Sequence, residues 1–404
     1  MSPCTSISND FEAAYAGPIM LLPLGGDPGN TLVTRRACHE ALLTSMADGL
    51  YGPVPPPPDT LSVSRLQIAG ERAERLLIDV VVADTCFTVD AALWLPTCSR
   101  GQAPLVCGLD FVGPVGLLNS PGFPIDSNAR ISSRPVFGAR DNRMEETLRG
   151  TSAYRWPVKM LLDRGYAVLV SCYGSWVPDD ASAWKRHGLY PLLGYRENSS
   201  IGAISLWAWA IQRLLDVAAT CDEIDITRAT VAGHSRLGKS ALWAAANDSR
   251  IAAVFANSAG CGGSAPAAHP VGETLEQMVE RFPHWTIPHQ DGFKPGQHFD
   301  QHHLLSCIAP RALYLAGATG DLWSDPVGSF LALREAAGFW EAEQEAGWTW
   351  PSPREVWNSC GQVCNGALGY HLRRGGHDIL PYDWQRFLAF LDQYYLTHPA
   401  GQGA

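Results

Sequence analysis

The sequence predicts an α/β fold, with a mostly parallel central sheet covered by helices on both faces. Three observations carry this expectation. Short apolar runs alternate with longer helix-like runs along the chain. Several of the short runs, among them Pro104–Phe111, Ala167–Cys172 and Arg311–Gly317, read as buried strands. One of the runs passes through a tight, glycine-bearing turn straight into a helix, at Gly233-His234-Ser235.

The elements follow in order. Residues 1–60 read as loop-rich and end in a stiff, extended stretch, Pro53-Val54-Pro55-Pro56-Pro57-Pro58. Two strands near Leu76–Ala83 and Thr88–Leu95 form a hairpin-like pair. Pro104–Phe111 and Ala167–Cys172 are the next strands. Between them, residues 112–150 are rich in Gly, Pro, Ser and Asn, and a loop of that length is usually functional. Ile201–Ala219 reads as a helix bearing Trp207 and Trp209, Ala229–Ala232 as a strand, and Ser240–Ala246 as a helix. Ile251–Ala256 is a strand, and residues 261–300 an excursion above the sheet. Arg311–Gly317 and Leu368–Leu372 are apolar runs, and Trp384–Tyr395 closes the chain as a helix with Phe387, Leu388 and Leu391 on its apolar side. No repeat or linker divides the chain, so residues 1–404 read as a single domain.

Composition narrows the function. Apolar residues make up 46% of the 404 and charged residues 17%, ample for a thick core. The net charge of −10 argues against nucleic acid or an anionic membrane as partner. No run of eighteen apolar residues is present, so no transmembrane helix is expected. Met1–Asp10 lacks a basic start followed by an apolar core, which favours a cytoplasmic protein, or a secreted one already trimmed. Of eleven cysteines, Cys107, Cys172 and Cys307 lie in apolar runs where a thiol acts as a small hydrophobe. Cys360 and Cys364 are placed to pair or to stay free. No metal-ligand spacing occurs, so no metal is expected.

The chemistry is concentrated at Gly233-His234-Ser235-Arg236-Leu237-Gly238-Lys239. A strand, a tight turn with serine at its tip and a helix make a nucleophile elbow. The second glycine of the usual pattern stands one place late, at Gly238, which sets Arg236 and Lys239 beside the serine. A serine hydroxyl needs a histidine to take its proton and a carboxylate to fix that histidine's tautomer. In serine-elbow hydrolases the order is serine, acid, histidine. The loop Ala318–Pro326 offers two acids, Asp321 and Asp325. The glycine-rich segment Arg373-Arg374-Gly375-Gly376-His377-Asp378, just past a strand, offers His377 as the base. His234 and His371 read as structural, and His302 with His303 sit in a helix-like segment.

These motifs resemble the glucuronoyl esterase family, carbohydrate esterase family 15, and its bacterial members in particular. The resemblance runs from about Arg149 to Tyr395. It includes Arg155-Trp156-Pro157-Val158, the elbow, Ser258-Ala259-Gly260-Cys261-Gly262-Gly263, Phe282-Pro283-His284-Trp285, Asp321-Leu322-Trp323-Ser324-Asp325-Pro326 and Gly375-Gly376-His377-Asp378. It implies an α/β-hydrolase fold, no cofactor, and cleavage of the ester between 4-O-methyl-glucuronic acid and an alcohol. By resemblance, Ser235 is the nucleophile, His377 the base, and Arg236 an oxyanion partner. Lys239, Glu273 and Trp323 match positions that contact the uronic acid. Many members carry the catalytic glutamate 23 residues after the serine, where this chain has Ser258; Asp321 matches the acid of other bacterial members, with Asp325 the alternative. The chain departs from the family at Ser264–Pro270, which is small and neutral, at Ser175 in place of an acid, and at Pro114, which has no N–H for an oxyanion hole. The substrate implied is a small-molecule or oligosaccharide ester of a uronic acid. The alternatives are a cytoplasmic tailoring hydrolase, acyltransferase or cyclase for a natural-product ester, and a non-catalytic carbohydrate-binding relative.

Overall fold

A computed structural model describes residues 11–15, 32–97, 101–132, 139–268, 271–288, 299–343 and 348–398. Ten strands form one sheet in the order β1-β2-β3-β5-β4-β6-β7-β8-β10-β9. They are β1 (Thr60–Gln67), β2 (Glu74–Val82), β3 (Thr85–Trp94), β4 (Ala103–Asp110), β5 (Ala167–Cys172), β6 (Ile224–His234), β7 (Ile251–Asn257), β8 (Ala312–Ala318), β9 (Gln362–Asn365) and β10 (Leu368–Arg373).

The central run β5-β4-β6-β7-β8-β10 is parallel throughout. Antiparallel strands flank it, β3 beside β5 and β9 beside β10. β5 and β8 are buried at every position and β4 at all but one, as helices on both faces require. On one face, Ala203–Ala218 packs against Arg236–Asn247, and Pro326–Ala336 covers β8. Pro381–Thr397 lies over β7, β8 and β10, and its Trp384 ring is 5.1 Å from Trp156. The expected α/β architecture and all of the strands read from the sequence are present.

The structure differs from the sequence reading in three places. Within the segment read as loop-rich, Leu32–Met46 is a helix, and 11–15 is a further helical turn. The stretch after Gly52 carries no regular structure until β1, as its prolines dictate. β1 was not legible because it is an edge strand with little buried side chain: Arg65 pairs at its surface with Glu74 and Glu223. Among its described residues, the 112–150 segment holds a short helix, Pro114–Leu117, and a 3₁₀ turn, Glu146–Leu148.

Cys107, Cys172 and Cys307 are buried, and burial pushes each thiol up to about 12, so they act as hydrophobes. Cys360 and Cys364 are both free. No helix of the described residues is long and apolar enough to cross a membrane.

Candidate active site

The C-terminal ends of β6, β8 and β10 converge on one cluster. β6 ends at His234, and Ser235 turns the chain into the helix Arg236–Asn247 with φ +58° and ψ −126°. The turn is tight enough that a Cβ on Gly233 would lie 2.1 Å from the Leu237 carbonyl oxygen. Gly233 is therefore obligatory. A Cβ on Gly238 would meet Ala259 Cβ at 3.1 Å, so the displaced second glycine makes room for the loop after β7.

His377 Nε2 lies 2.9 Å from Ser235 Oγ, and His377 Nδ1 lies 2.7 Å from Asp321 Oδ2. A carboxylate only accepts, so Nδ1–H donates to Asp321 and Nε2 is left to accept the serine proton. Asp321 is buried, while the His377 side chain is 27% exposed. Ser324 Oγ donates to the same Asp321 oxygen.

The other acid of that loop is turned away. Asp325 has φ +45° and caps the helix Pro326–Ala336, accepting from Gly328 N–H at 2.8 Å and from the Tyr15 hydroxyl at 2.9 Å. Ser258, at the end of β7, is buried, and its hydroxyl has no hydrogen-bond partner among the described residues.

The His377 loop is fixed from behind. Arg373 Nη2 donates to the Gly376 and Asp378 carbonyls at 3.2 and 2.6 Å, and Nε grips Asp383. Asp378 is held by Arg155 at 2.6 Å and by the Tyr154 hydroxyl at 2.9 Å. His234 and His371 are structural. His234 donates to Asn257 Oδ1 at 2.6 Å, and His371 bridges Tyr314 and Asp383. Burial pushes both imidazoles below their ordinary range, and for His234 the neighbouring His377 adds to it.

Donors for a developing oxyanion are few. The Val112 and Gly113 N–H groups of the loop after β4 both donate to Asp110 at 2.9 Å, and Pro114 has none. Arg236 N–H opens its helix and has no acceptor four residues back. The Arg236 side chain is buried, ion-paired with Asp179, and lies 4.3 Å from the Trp285 ring.

The remaining predicted contacts fall in two places. Lys239 is buried, and its ammonium donates to the Ala259 and Cys261 carbonyls, bracing the glycine-run loop. Glu273 is buried, and its N–H donates to the Trp323 carbonyl at 2.9 Å, which joins these two residues. Trp323 is 38% exposed. Of the neutral stretch Ser264–Pro270, His269 and Pro270 lie outside the described residues. Asp179, His284 and Trp285 were not assigned a role from the sequence. A lone Asp-Asp pair after a proline carries no signal until its burial is known. Among the described residues no group of three or more His, Cys, Asp or Glu side chains could hold a metal.

A serine–histidine–aspartate chain on an α/β-hydrolase sheet defines a class, and the relatives agree: this is a carboxylic ester hydrolase. The family profile of fungal glucuronyl esterases matches residues 156–343. A carbohydrate esterase from an unknown prokaryotic organism is 32% identical over 320 residues, covering 76% of this chain and 71% of that protein. Among solved structures, a glucuronoyl esterase from Solibacter usitatus superposes with a TM-score of 0.80 at 30% identity, over 94% of this chain and 98% of that one. A promiscuous esterase of the same family from a marine bacterial metagenome gives 0.77 at 27% identity, over 94% and 98%. A 4-O-methyl-glucuronoyl methylesterase from Podospora anserina is 30% identical over 161 residues, 37% of this chain and about a third (34%) of that enzyme. The chain belongs to the glucuronoyl esterases of carbohydrate esterase family 15.

Proposed function

We propose that this enzyme hydrolyses an ester of a uronic acid, of the 4-O-methyl-glucuronoyl or methyl glucuronate type, through an acyl-enzyme. Ser235 Oγ attacks the ester carbonyl while His377 Nε2 takes its proton. Asp321 keeps the imidazole in the productive tautomer and stabilises its cation. The oxyanion is met by the Arg236 N–H and by its guanidinium. His377 then gives the proton to the leaving alcohol, and water repeats the cycle to release the acid.

The observation that carries this reading is the unbroken hydrogen-bonded chain from Asp321 through His377 to Ser235. The substrate class is supported by the methylesterase relatives and by the pairing of Glu273 with Trp323 through their backbones. Similarity along nearly the whole chain to glucuronoyl esterases favours this reading over a natural-product ester or a non-catalytic role.

The test is kcat/KM on methyl 4-O-methyl-glucuronate against p-nitrophenyl acetate and butyrate. A site built to pair hydroxyls is expected to favour the glucuronate by about 10²-fold or more. Equal rates, or no turnover of the glucuronate, would overturn the substrate assignment.

A further inference from the structure

The residue after the nucleophile is held by an acid that no sequence motif announced. Asp179 lies in the segment following β5, and its carboxylate is buried with all of its accepting directions filled. Oδ2 accepts from Arg236 Nη1 and, at 2.7 Å, from the Tyr173 hydroxyl. Oδ1 accepts from His284 Nε2 and Trp285 Nε1, each at 2.9 Å. Two donors on each oxygen leave the carboxylate no freedom to rotate. The Asp179 N–H is itself tied to the Arg130 carbonyl at 3.0 Å.

Arg236 is fixed in two further respects. Its guanidinium lies 4.3 Å from the Trp285 ring, 5.0 Å from Phe282 and 5.6 Å from Phe111. Aromatic faces set the plane of the fork. They leave it able to turn within that plane, and the bond from Nη1 to Asp179 removes this freedom. Asp179 is the one acid paired with Arg236 among the described residues. Nε of the same fork is buried and has no hydrogen-bond partner among the described residues.

We propose that Asp179 is a positioning residue. It locks the Arg236 fork so that the N–H groups not bonded to Asp179 face the oxygen that becomes negative at the acyl carbon. The inference rests on the reading of Arg236 as the oxyanion partner. Burial alone would raise the Asp179 carboxyl, but Arg236 and then His284 outweigh it and hold the group below the ordinary carboxylate range. Asp179 therefore stays ionised wherever the enzyme works. Preorganisation of this kind matters because donors already in place need no reorganisation as charge develops.

The experiment is a double-mutant cycle on the full chain with Asp179→Asn and Arg236→Gln. Two rates are read: hydrolysis of methyl 4-O-methyl-glucuronate, and phosphonylation of Ser235 by a fluorophosphonate. In the second, Ser235 Oγ bonds to phosphorus, fluoride leaves, and the phosphoryl oxygen sits where the oxyanion would. Asp179→Asn is expected to slow both by about 10- to 100-fold, with KM within about threefold, since it acts on a transition-state donor. In the Arg236→Gln background it should add less than about threefold, because the two act as one unit. Wild-type rates for Asp179→Asn, or losses that multiply, would overturn the proposal.

If Asp179→Asn does not fold, Tyr173→Phe removes one donor from the oxygen that Arg236 holds. It should slow phosphonylation by about three- to tenfold in the native background and not in Arg236→Gln. Equal slowing in both backgrounds would count against a positioning role. A wrong uronic-acid assignment would show differently: the wild type would leave the glucuronate untouched while the phosphonylation coupling persisted.

Discussion

Two arginines lie near the Phe282 ring, and they live under different rules. Arg236 is buried, 5.0 Å from that ring, and neutralised by Asp179. Arg281 is exposed, 5.6 Å from the same ring and 5.2 Å from Trp323, with no acid paired to it among the described residues. The first belongs to a floor in which each group is held by others. The second belongs to a rim where only aromatic faces and solvent hold it. A buried group tied to fixed partners can be aimed, because removing it from water is tolerable only when those partners are in place. An exposed group contributes contact area and adapts. The expectation is that changes in the floor lower turnover and changes in the rim alter discrimination among substrates.

The sharpest way to break that division is at the floor. Ser235→Ala should lower kcat by at least about 10⁴-fold with the fold unchanged, measured by steady-state hydrolysis and circular dichroism. Retention of several per cent of activity would end the serine mechanism. Next is the acid. Asp321→Asn should cost about 10³ to 10⁴ in kcat, because His377 would be held in the wrong tautomer. Asp325→Ala should leave kcat within about tenfold and lower stability by about 1 kcal/mol, as loss of a helix cap does. Reversed results would move the acid to Asp325.

The rim should respond more gently and in another parameter. Trp323→Ala is expected to raise KM for the glucuronate ester by about tenfold with kcat little changed, since uniform binding is lost. Glu273→Ala should shrink the preference for glucuronate over acetate esters by about tenfold while sparing the acetate. A large fall in kcat from either change would show that the rim takes part in the chemistry.

The smallest effect is on stability against pH. Burial, together with His377, depresses the His234 imidazole well below its ordinary value. The unfolded chain takes up that proton near pH 6.5 and the folded one does not. Stability from this group is therefore complete above about pH 6.5 and falls as the pH drops below it. The melting temperature should decline from pH 7 to pH 5, and the decline should be shallower in His234→Gln. A steeper decline in the variant would refute the assignment. Asp179 behaves as a depressed carboxyl: its contribution is present above about pH 4 and is lost only below that.

Much of this was legible in the residues. The parallel strands are apolar on both faces and cannot be disguised, and the elbow follows from glycine, serine and the flanking runs. His377 was found because a glycine-rich loop after a strand places a histidine above the sheet. The choice between Asp321 and Asp325 was not settled by spacing, yet a signal was present. Asp325 precedes Pro326, and Asp before Pro at the first helical position is a cap signature. The place of Lys239 follows from the helix geometry. One turn along the helix from Ser235, it faces the loop after β7, and its ammonium finds backbone carbonyls there. Asp179 was invisible because its meaning lies in what encloses it: besides the nearby Tyr173, its carboxylate's partners come from two distant segments, at Arg236 and at His284–Trp285. β1 was missed because an edge strand need not be apolar.

Among the described residues, seven non-glycine residues have positive φ; Ser235 and Ser258 directly follow the neighbouring strands β6 and β7, and Asp325 lies in the loop after β8. A side chain held in that region costs about 1–3 kcal/mol, and glycine would relax it. The rim of the sheet is thus the least comfortable part of the backbone, and selection for thermal robustness alone would drift these positions toward glycine. That Ser235 persists against this pull marks the turn as a place where the chain carries a standing handicap in stability for the sake of reactivity. An ancestor or a laboratory lineage freed from catalysis should surrender it first.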